Sequence, residues 1–245
     1  GEEFRSLAAT SNTMQGTIAG READITRHAY YDSLTGLPNR TLAERRLKDL
    51  LAGSECQQLA VILILVCSAR EIGTTFGQDV GDEVVREAGQ RLSRNVGTDH
   101  VLACVGESRF MVIAPGFSVE RARIYVDQLA SALRGGFHLS GMTLELTLNA
   151  GVCAFPDHGT GAGGLMQRAQ IALEDARGTR LGVASYEPGR DEQHRRRLTL
   201  ITGLRAAADC NELTLKYQPK VDMAARTVKS LEALVRWHHA PLGPV

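Results

Sequence analysis

The stretch Ala103–Pro115, ACVGESRFMVIAP, is the part of the chain whose pattern decides the fold. Two apolar runs flank a short polar segment that begins at Gly106. Glycine tolerates the unusual backbone angles of tight turns, and the apolar run Met111–Ala114 follows closely. The pattern predicts a β-hairpin of two short strands, the second of which is apolar.

This hairpin resembles the signature of the GGDEF family, the diguanylate cyclases, in which the turn reads Gly-Gly-Asp/Glu-Glu-Phe. Here the five positions are Gly106, Glu107, Ser108, Arg109 and Phe110. The framing glycine and phenylalanine are kept, whereas the two acidic positions have become serine and arginine. Carboxylates hold Mg²⁺ against the phosphates of a nucleoside triphosphate, and serine and arginine cannot do this. The resemblance therefore implies the fold of the family without its catalysis.

A second motif, Tyr31–Arg40 with the sequence YDSLTGLPNR, closely matches the opening motif of the same family, Asp-x-Leu-Thr-Gly-Leu-x-Asn-Arg. Either Asn39 or Thr41 could cap the helix that follows. Asp32 could pair with Arg40 across the turn. We expect the motif to be mainly architectural.

The apolar run from Ala60 to Val66 predicts a fully buried strand. In the family an aspartate on this strand ligates the metal, and a second acidic residue follows it. These two positions fall on Leu65 and Cys67, and the asparagine that reads guanine falls on Gly73. The resemblance thus implies a degenerate catalytic site, whose altered positions are Leu65, Cys67, Ser108 and Arg109.

Two positions keep a side chain that could bind a nucleotide. Asp82 matches the aspartate that contacts the guanine base, but an aspartate near a helix start also complements the helix dipole in any protein. Arg177 stands at the position of a lysine that reaches the phosphates, but it could equally be a solvated cation at a helix end. The product-inhibition motif, Arg-x-x-Asp, falls on Gly97 and His100, so product binding there is not expected.

Residues 1–28 resemble the last helix of a HAMP module, the coiled-coil relay below a membrane span in bacterial receptors. Their apolar residues follow a heptad spacing, although an ordinary amphipathic helix would give the same pattern. The resemblance implies a homodimer through this helix. It also places the chain on the cytoplasmic side of the inner membrane, as part of a membrane-anchored receptor. The heptad residues are Phe4, Leu7, Met14, Ile18 and Ile25.

Two segments near the other end, Leu215–Pro219 (LKYQP) and Leu231–Trp237 (LEALVRW), resemble the opening of an EAL domain, a cyclic di-GMP phosphodiesterase. The resemblance implies that Glu232 binds a divalent metal. It also implies that Gln218 and Arg236 bind cyclic di-GMP. Mg²⁺ or Mn²⁺ would be the cofactor of a complete EAL domain, whereas no cofactor is firmly expected for the chain as given.

The composition fits a folded domain with a sizeable core, since 43% of the residues are hydrophobic and 23% are charged. The 28 basic and 28 acidic residues cancel, which argues against a nucleic-acid partner held by a general basic field. The five cysteines are scattered without a Cys-x-x-Cys pair, so neither a zinc site nor a disulfide framework is indicated.

The predicted organisation has four parts: a signalling helix (residues 1–28), a degenerate GGDEF domain (29–187), a helical linker (188–212) and an EAL fragment (213–245). The resemblance implies an α+β fold, ferredoxin-like or nucleotide-cyclase-like, whose sheet contains antiparallel strands and is flanked by helices. Predicted helices are Leu42–Leu51, Asp79–Val96, Val119–Arg134 and Gly164–Arg177. Predicted strands are Ala60–Val66, Val101–Val105, Arg109–Ala114, Thr143–Ala150 and Gly182–Tyr186.

Four functions remain open at this level. The favoured one is a catalytically inactive relay in cyclic di-GMP signalling, with GTP as a possible regulator, between a receptor module and an EAL domain. The second is a cyclic di-GMP phosphodiesterase that works through the EAL domain of a longer parent protein. The third is an active diguanylate cyclase with an unusual metal site. In the fourth, the domain only spaces and dimerises.

Overall fold

The structure, a computed structural model, describes residues 27–54, 56–134, 136–139, 142–177, 182–210, 212–239 and 243–244. The chain divides into two compact units, and the boundary lies between Pro188 and Gly189. The predicted heptad helix of residues 1–28 lies outside the described residues except for its last two, which are helical.

In its described residues the first unit contains five helices and seven strands, besides the helical residues 27–30. The helices are α1 (Arg40–Ala52), α2 (Cys67–Phe76), α3 (Gln78–Asn95), α4 (Val119–Leu133) and α5 (Ala162–Ala176). The strands are β1 (Leu59–Val66), β2 (Val101–Gly106), β3 (Arg109–Pro115), β4 (Phe137–Leu139), β5 (Met142–Leu144), β6 (Leu148–Phe155) and β7 (Val183–Ser185).

Strand β1 lies at the centre of a five-stranded sheet with the order β2-β3-β1-β6-β7. It is antiparallel to both of its neighbours, so that Ile62 lies opposite Val112 on β3 and Val152 on β6. The edge strand β7 runs parallel to β6. Helices cover both faces of this strand, which explains its uninterrupted apolar sequence, LAVILILV. The predicted α+β fold with a flanked, antiparallel-containing sheet is confirmed.

The two faces of the sheet form separate hydrophobic clusters because side chains alternate along each strand. Ile62 and Ile64 point to one face, where they belong to the cluster that includes helices α3 and α4. Val61 and Leu63 point to the other face, where they belong to the cluster that includes α1 and α5. The ends of β1 and β3 are therefore held between two layers of helices.

Two parts of the first unit differ from the predicted elements. Helix α2 was not predicted; its Ala69 and Ile72 are buried at the three-residue spacing of one helix face. The predicted strand Thr143–Ala150 is interrupted in the structure. Its first residues belong to β5, which pairs with β4 in a separate two-stranded sheet, and residues 145–147 belong to no strand. Pairing with β1 begins only at Leu148, which lies opposite Val66.

The second unit consists of a helix and an antiparallel hairpin in its described residues. Its elements are α6 (Arg190–Asp209), β8 (Leu213–Asp222), β9 (Thr227–His239) and the short β10 (Gly243–Pro244). The indole of Trp237 is buried, and its Nε1 donates to Oε2 of Glu212 at 2.9 Å. A β-carbon on Gly203 would lie 3.3 Å from the same indole ring, so α6 packs closely on β9.

The expectation that the chain is part of a membrane-anchored receptor is wrong. Within the described ranges, none of the helices combines the length and the apolar character that crossing a bilayer requires.

Candidate functional site

A cleft of about 840 Å³ opens at the end of β1, beside the turn that joins β2 to β3. Helices α2 and α3 contribute its other walls. The cleft brings together almost all the predicted site positions of the first unit. Those in its lining are Leu65, Cys67, Asp82, Gly106, Glu107, Ser108, Arg109 and Arg177. The remaining signature residue, Phe110, is fully buried in the core instead.

Strand register explains why two of these positions meet. Leu65 near the end of β1 lies directly opposite Arg109 at the start of β3. Directly opposed residues in an antiparallel pair have β-carbons about 5 Å apart. An aliphatic side chain and a guanidinium therefore lie side by side where the family has two carboxylates.

The turn itself is tied to the end of β1. The backbone oxygen of Ser108 accepts a hydrogen bond from the N–H of Val66 at 2.9 Å. Ser108 is buried and has a φ of 56°, a left-handed conformation that a residue with a β-carbon adopts at a cost of about 1 kcal/mol or more. The turn is thus held in place by its backbone, and little of Ser108 is exposed.

Arg109 begins a chain of polar contacts that runs along α5. Its Nη1 donates to Oε1 of Gln170 at 3.4 Å, and Nε2 of Gln170 donates to Oε1 of Glu174 at 3.0 Å. Glu174 in turn pairs with Arg177, the C-cap residue of α5, at 3.0 Å. The Glu174–Arg177 pair is about half exposed, so it contributes little to stability. Arg177 thus has the helix-end position that one reading predicted, and it also lines the cleft.

Asp82 lies near the start of α3 but does not cap it. Helix α3 begins at Gln78, and the acidic residue of its first turn is Asp79. The carboxylate of Asp82 accepts instead from Nε2 of Gln78 at 3.0 Å. Its side chain lies one turn further along α3, on the wall of the cleft.

Gly73 has a packing role that sequence reasoning missed. A β-carbon on Gly81 would lie 2.9 Å from the α-carbon of Gly73, so α2 and α3 cross with their backbones almost in contact. The two glycines, eight positions apart in the sequence, could have indicated this close approach of the two helices. At the position where the family reads guanine, this chain has a residue that lets two helices approach.

Cys67 is a poor replacement for an acidic ligand. It begins α2, and burial raises the pKa of its thiol above the usual value. The thiolate is the form that binds metals, and a thiol with a raised pKa stays protonated at neutral pH. This position therefore offers no negative charge to a cation.

Asp32 lines the cleft but is engaged within the opening motif. Its Oδ1 accepts from the N–H and the hydroxyl of Thr35 at 2.8 and 2.7 Å, so the predicted pairing with Arg40 does not form. Asn39, rather than Thr41, caps α1 by accepting from the N–H of Leu42. The architectural interpretation of this motif agrees with these contacts.

The cleft does not fit the Mg²⁺ ion that the family resemblance implies. Across the described ranges, no group of three or more His, Cys, Asp and Glu side chains is placed to hold a metal ion. The four carboxylates of the lining are Asp32, Glu71, Asp82 and Glu107. Two of them already accept hydrogen bonds from Thr35 and Gln78.

Restoring the two opposed carboxylates should create a metal site. We expect the Leu65→Asp/Arg109→Glu double variant to gain about 2.7 kcal/mol of stability at a Mn²⁺ concentration 100-fold above its Kd, because oxygen ligands suit Mn²⁺. The unchanged chain should gain nothing. Thermal unfolding with and without Mn²⁺ measures the difference.

The matched control is Leu65→Asn/Arg109→Gln, which makes the same change in side-chain size without adding negative charge. It should unfold at the same temperature with and without Mn²⁺. Equal stabilisation of the unchanged chain by Mn²⁺ would contradict the poor fit of the cleft to a metal.

The residues predicted for the EAL segment meet on the hairpin of the second unit. Gln218 on β8 lies directly opposite Glu232 on β9, and Arg236 follows four residues later on the same face. Glu232 pairs with Lys220 at 3.1 Å, with both side chains about half exposed. All three predicted side chains are exposed.

Known proteins similar to this chain match both its sequence and its fold. MucR of Pseudomonas aeruginosa, named as a bifunctional diguanylate cyclase/cyclic di-GMP phosphodiesterase, is 25% identical over 240 residues, which cover 97% of this chain and 35% of MucR. The cyclic di-GMP phosphodiesterase PdeR of Escherichia coli is 26% identical over 213 residues, which cover 86% of this chain and 32% of PdeR. The chain therefore spans about a third of the length of these relatives.

The solved GGDEF domain of TpbB from Pseudomonas aeruginosa superimposes with a TM-score of 0.61 at 28% identity. The match covers 68% of this chain and 99% of that domain. A family profile described as "Diguanylate cyclase, GGDEF domain" matches residues 29–181, which is more than half of the chain. The predicted resemblance is confirmed at this level, and the chain belongs to the GGDEF family.

Proposed function

We propose that the first unit is a GGDEF domain that does not cyclise GTP and that acts as a regulatory relay in a cyclic di-GMP signalling protein. The observation that carries this proposal is the pairing of Leu65 with Arg109 across β1 and β3. In an active relative these two positions would hold metal-binding carboxylates. Here they offer a hydrocarbon and a fixed positive charge.

The charge change explains why turnover is not expected. Phosphoryl and nucleotidyl transfer depend on metal ions that bridge phosphate oxygens and neutralise the charge that develops there. A guanidinium at the metal position repels a divalent cation, and Cys67 with its raised pKa does not compensate. The cleft lacks the charge distribution that the reaction needs.

The direct test is incubation of the chain with Mg²⁺-GTP and with Mn²⁺-GTP. We expect no cyclic di-GMP and no linear dinucleotide above the level without protein, measured by liquid chromatography and mass spectrometry. An active diguanylate cyclase in parallel shows that the assay works. Product that increases with the concentration of this chain would refute the proposal and favour the third function, a cyclase with an unusual metal site.

GTP could still act as a regulator in the same cleft. A volume of about 840 Å³ lies within the range of small-molecule sites, and Asp82 and Arg177 line it. Gly73, at the base-reading position, weighs against tight recognition of guanine. Isothermal titration calorimetry with GTP separates the two forms of the relay: binding supports a nucleotide sensor, whereas no binding leaves a relay that works without nucleotide.

A second candidate function, cyclic di-GMP hydrolysis, would belong to a longer protein that contains this chain. Two observations favour it: PdeR and MucR carry phosphodiesterase in their names, and their matches extend over most of this chain. The proposed EAL residues Gln218, Glu232 and Arg236 share one exposed hairpin face, where Glu232 would bind Mg²⁺ or Mn²⁺. Hydrolysis measured on the complete protein, with and without GTP, distinguishes a regulated phosphodiesterase from a cyclic di-GMP receptor.

The relay also depends on a partner chain. We infer that residues 1–28 form a HAMP-like coiled coil that makes the protein a homodimer, which would let movement at the helix reach the GGDEF unit. The heptad spacing of the sequence supports this inference. The same proposal divides the chain into four parts, with boundaries near residues 28, 187 and 212.

A further inference from the structure

A second, smaller cavity lies in the first unit on the other side of Arg109. Its volume is about 360 Å³, at the lower end of the range of small-molecule sites. Apart from Arg109, none of its lining residues belongs to the main cleft. The residues that line it are Arg40, Leu63, Val105, Arg109, Met111, Gly163, Met166, Gln167 and Gln170.

The polar side chains of this cavity favour a negative charge. Arg40 and Arg109 supply two guanidiniums and Gln167 supplies an amide group, while the amide of Gln170 is bonded to Arg109 and Glu174. No acidic residue occurs among these described lining residues. Arginine binds carboxylates and phosphates through short, charge-assisted hydrogen bonds. An anionic group that enters the cavity would therefore meet two positive charges and no opposing one.

The carboxylates just outside the cavity have partners of their own. Glu44, one turn along α1 from Arg40, pairs with Lys48 at 2.7 Å, and this pair holds the pKa of Glu44 below its usual value. Glu174, one turn along α5 from Gln170, pairs with Arg177 at 3.0 Å. These pairs limit how far the two acids neutralise Arg40 and Arg109.

The floor of the cavity is apolar. Leu63, Met111 and Met166 are almost completely buried members of the cluster between the sheet and helices α1 and α5. Methionine is flexible and polarizable, so two methionines can adapt to a compact hydrocarbon group. The cavity thus joins an apolar floor to a positively charged rim.

We propose that this cavity binds a small organic anion, a molecule with a compact apolar body and a single carboxylate or phosphate group. The anionic group contacts Arg40 and Arg109, and the apolar body contacts Met111 and Met166. This site shares only Arg109 with the main cleft, and the proposal does not depend on whether GTP is cyclised there.

Binding can be measured through the NMR signals of the two methionines. We choose phenyl phosphate as the probe and label the methionine methyl groups with ¹³C. On titration, the methyl signals of Met111 and Met166 should shift and saturate, whereas the signal of Met223, in the turn of the hairpin of the second unit, should not move. Arg40→Gln should weaken binding by about tenfold, because it removes one charge-assisted contact.

Arg46→Gln is the matched control. Arg46 lies on the same helix as Arg40, is exposed and lines neither cavity, so its variant should bind phenyl phosphate as tightly as the unchanged chain. Unchanged melting temperatures would show that both variants remain folded. Equal binding by the Arg40→Gln variant, or the absence of saturable shifts at Met111 and Met166, would overturn the proposal.

Two further probes test the two halves of the ligand. Benzyl alcohol keeps the ring and lacks the charge, and inorganic phosphate keeps the charge and lacks the ring. Both should bind at least about fivefold more weakly than phenyl phosphate, since each makes only one kind of contact. Benzyl alcohol that binds as tightly would refute recognition of the anion, and phosphate that binds as tightly would refute recognition of the apolar body.

Discussion

Replacing Gly151 by alanine is expected to lower the free energy of unfolding of the first unit by about 3 kcal/mol or more. Gly151 lies in β6, where α5 crosses the sheet. The added β-carbon would overlap the backbone of Leu173 and Ala169 and would lie 2.8 Å from the backbone carbon of Ala172. Backbone atoms of a helix cannot rotate away as a side chain can. Helix α5 would have to move off the sheet, which would open the cluster that contains Leu173.

Urea denaturation followed by circular dichroism measures this effect. The matched control is Gly163→Ala in helix α5, where nothing lies within 4 Å of the added β-carbon. Alanine is a better helix former than glycine, so this control should be neutral or should stabilise the unit by up to about 1 kcal/mol. A Gly151→Ala variant as stable as the control would show that α5 does not pack this closely on β6.

The elements with strong local signals were predicted well from sequence. The hairpin β2–β3 follows from two apolar runs around a turn, and β1 follows from its uninterrupted apolar sequence. Helix α1 begins within two residues of its predicted start because Asn39 caps it. Such features depend on residues close together in the chain.

The errors arose where distant residues decide the structure. Residues 143–147 have a strand-like sequence, but they are not part of the central sheet because β6 meets the end of β1 only from Leu148 onward. No helix is predicted for the segment that begins at Cys67. It forms α2 because Ala69 and Ile72 pack into the hydrophobic core with residues from other elements.

The candidate site shows the same division. The positions Leu65, Ser108 and Arg109 were identified from the motif, and the structure brings them into one cleft. The contact of Arg109 with Gln170 joins residues 61 positions apart, so no local sequence pattern could predict it. The second cavity was missed for the same reason, since its lining comes from α1, α5 and three strands.

Replacing Phe110 by alanine is the second change with a large expected effect, a loss of about 3 to 5 kcal/mol in the free energy of unfolding. Phe110 is one of the two framing signature residues that this chain keeps, together with Gly106. Its side chain has no exposed surface, and it lies on β3 between Ile64 and Cys104 of the neighbouring strands. A β-carbon on Gly89 would lie 3.3 Å from its ring, so α3 packs directly on it. Alanine would leave a cavity that this close packing cannot fill.

Phe76→Ala is the control for the loss of an aromatic side chain. Phe76 ends α2 and is 44% exposed, so its removal should cost less than about 1 kcal/mol. Arg109→Gln, next to Phe110 in the chain, should also cost less than about 1 kcal/mol, since Arg109 makes one long hydrogen bond to Gln170. Urea denaturation of the three variants compares these values directly.

A large loss for Phe110→Ala and small losses for the other two would explain how the signature motif has changed in this chain. The phenylalanine is retained because the core requires it whether or not the domain is catalytic. The two replaced acidic positions, Ser108 and Arg109, line the cleft, where replacement alters charge and leaves the fold intact. If the variant Phe110→Ala were as stable as Phe76→Ala, packing would not account for the retained phenylalanine, and an unrecognised activity of the cleft would have to be sought.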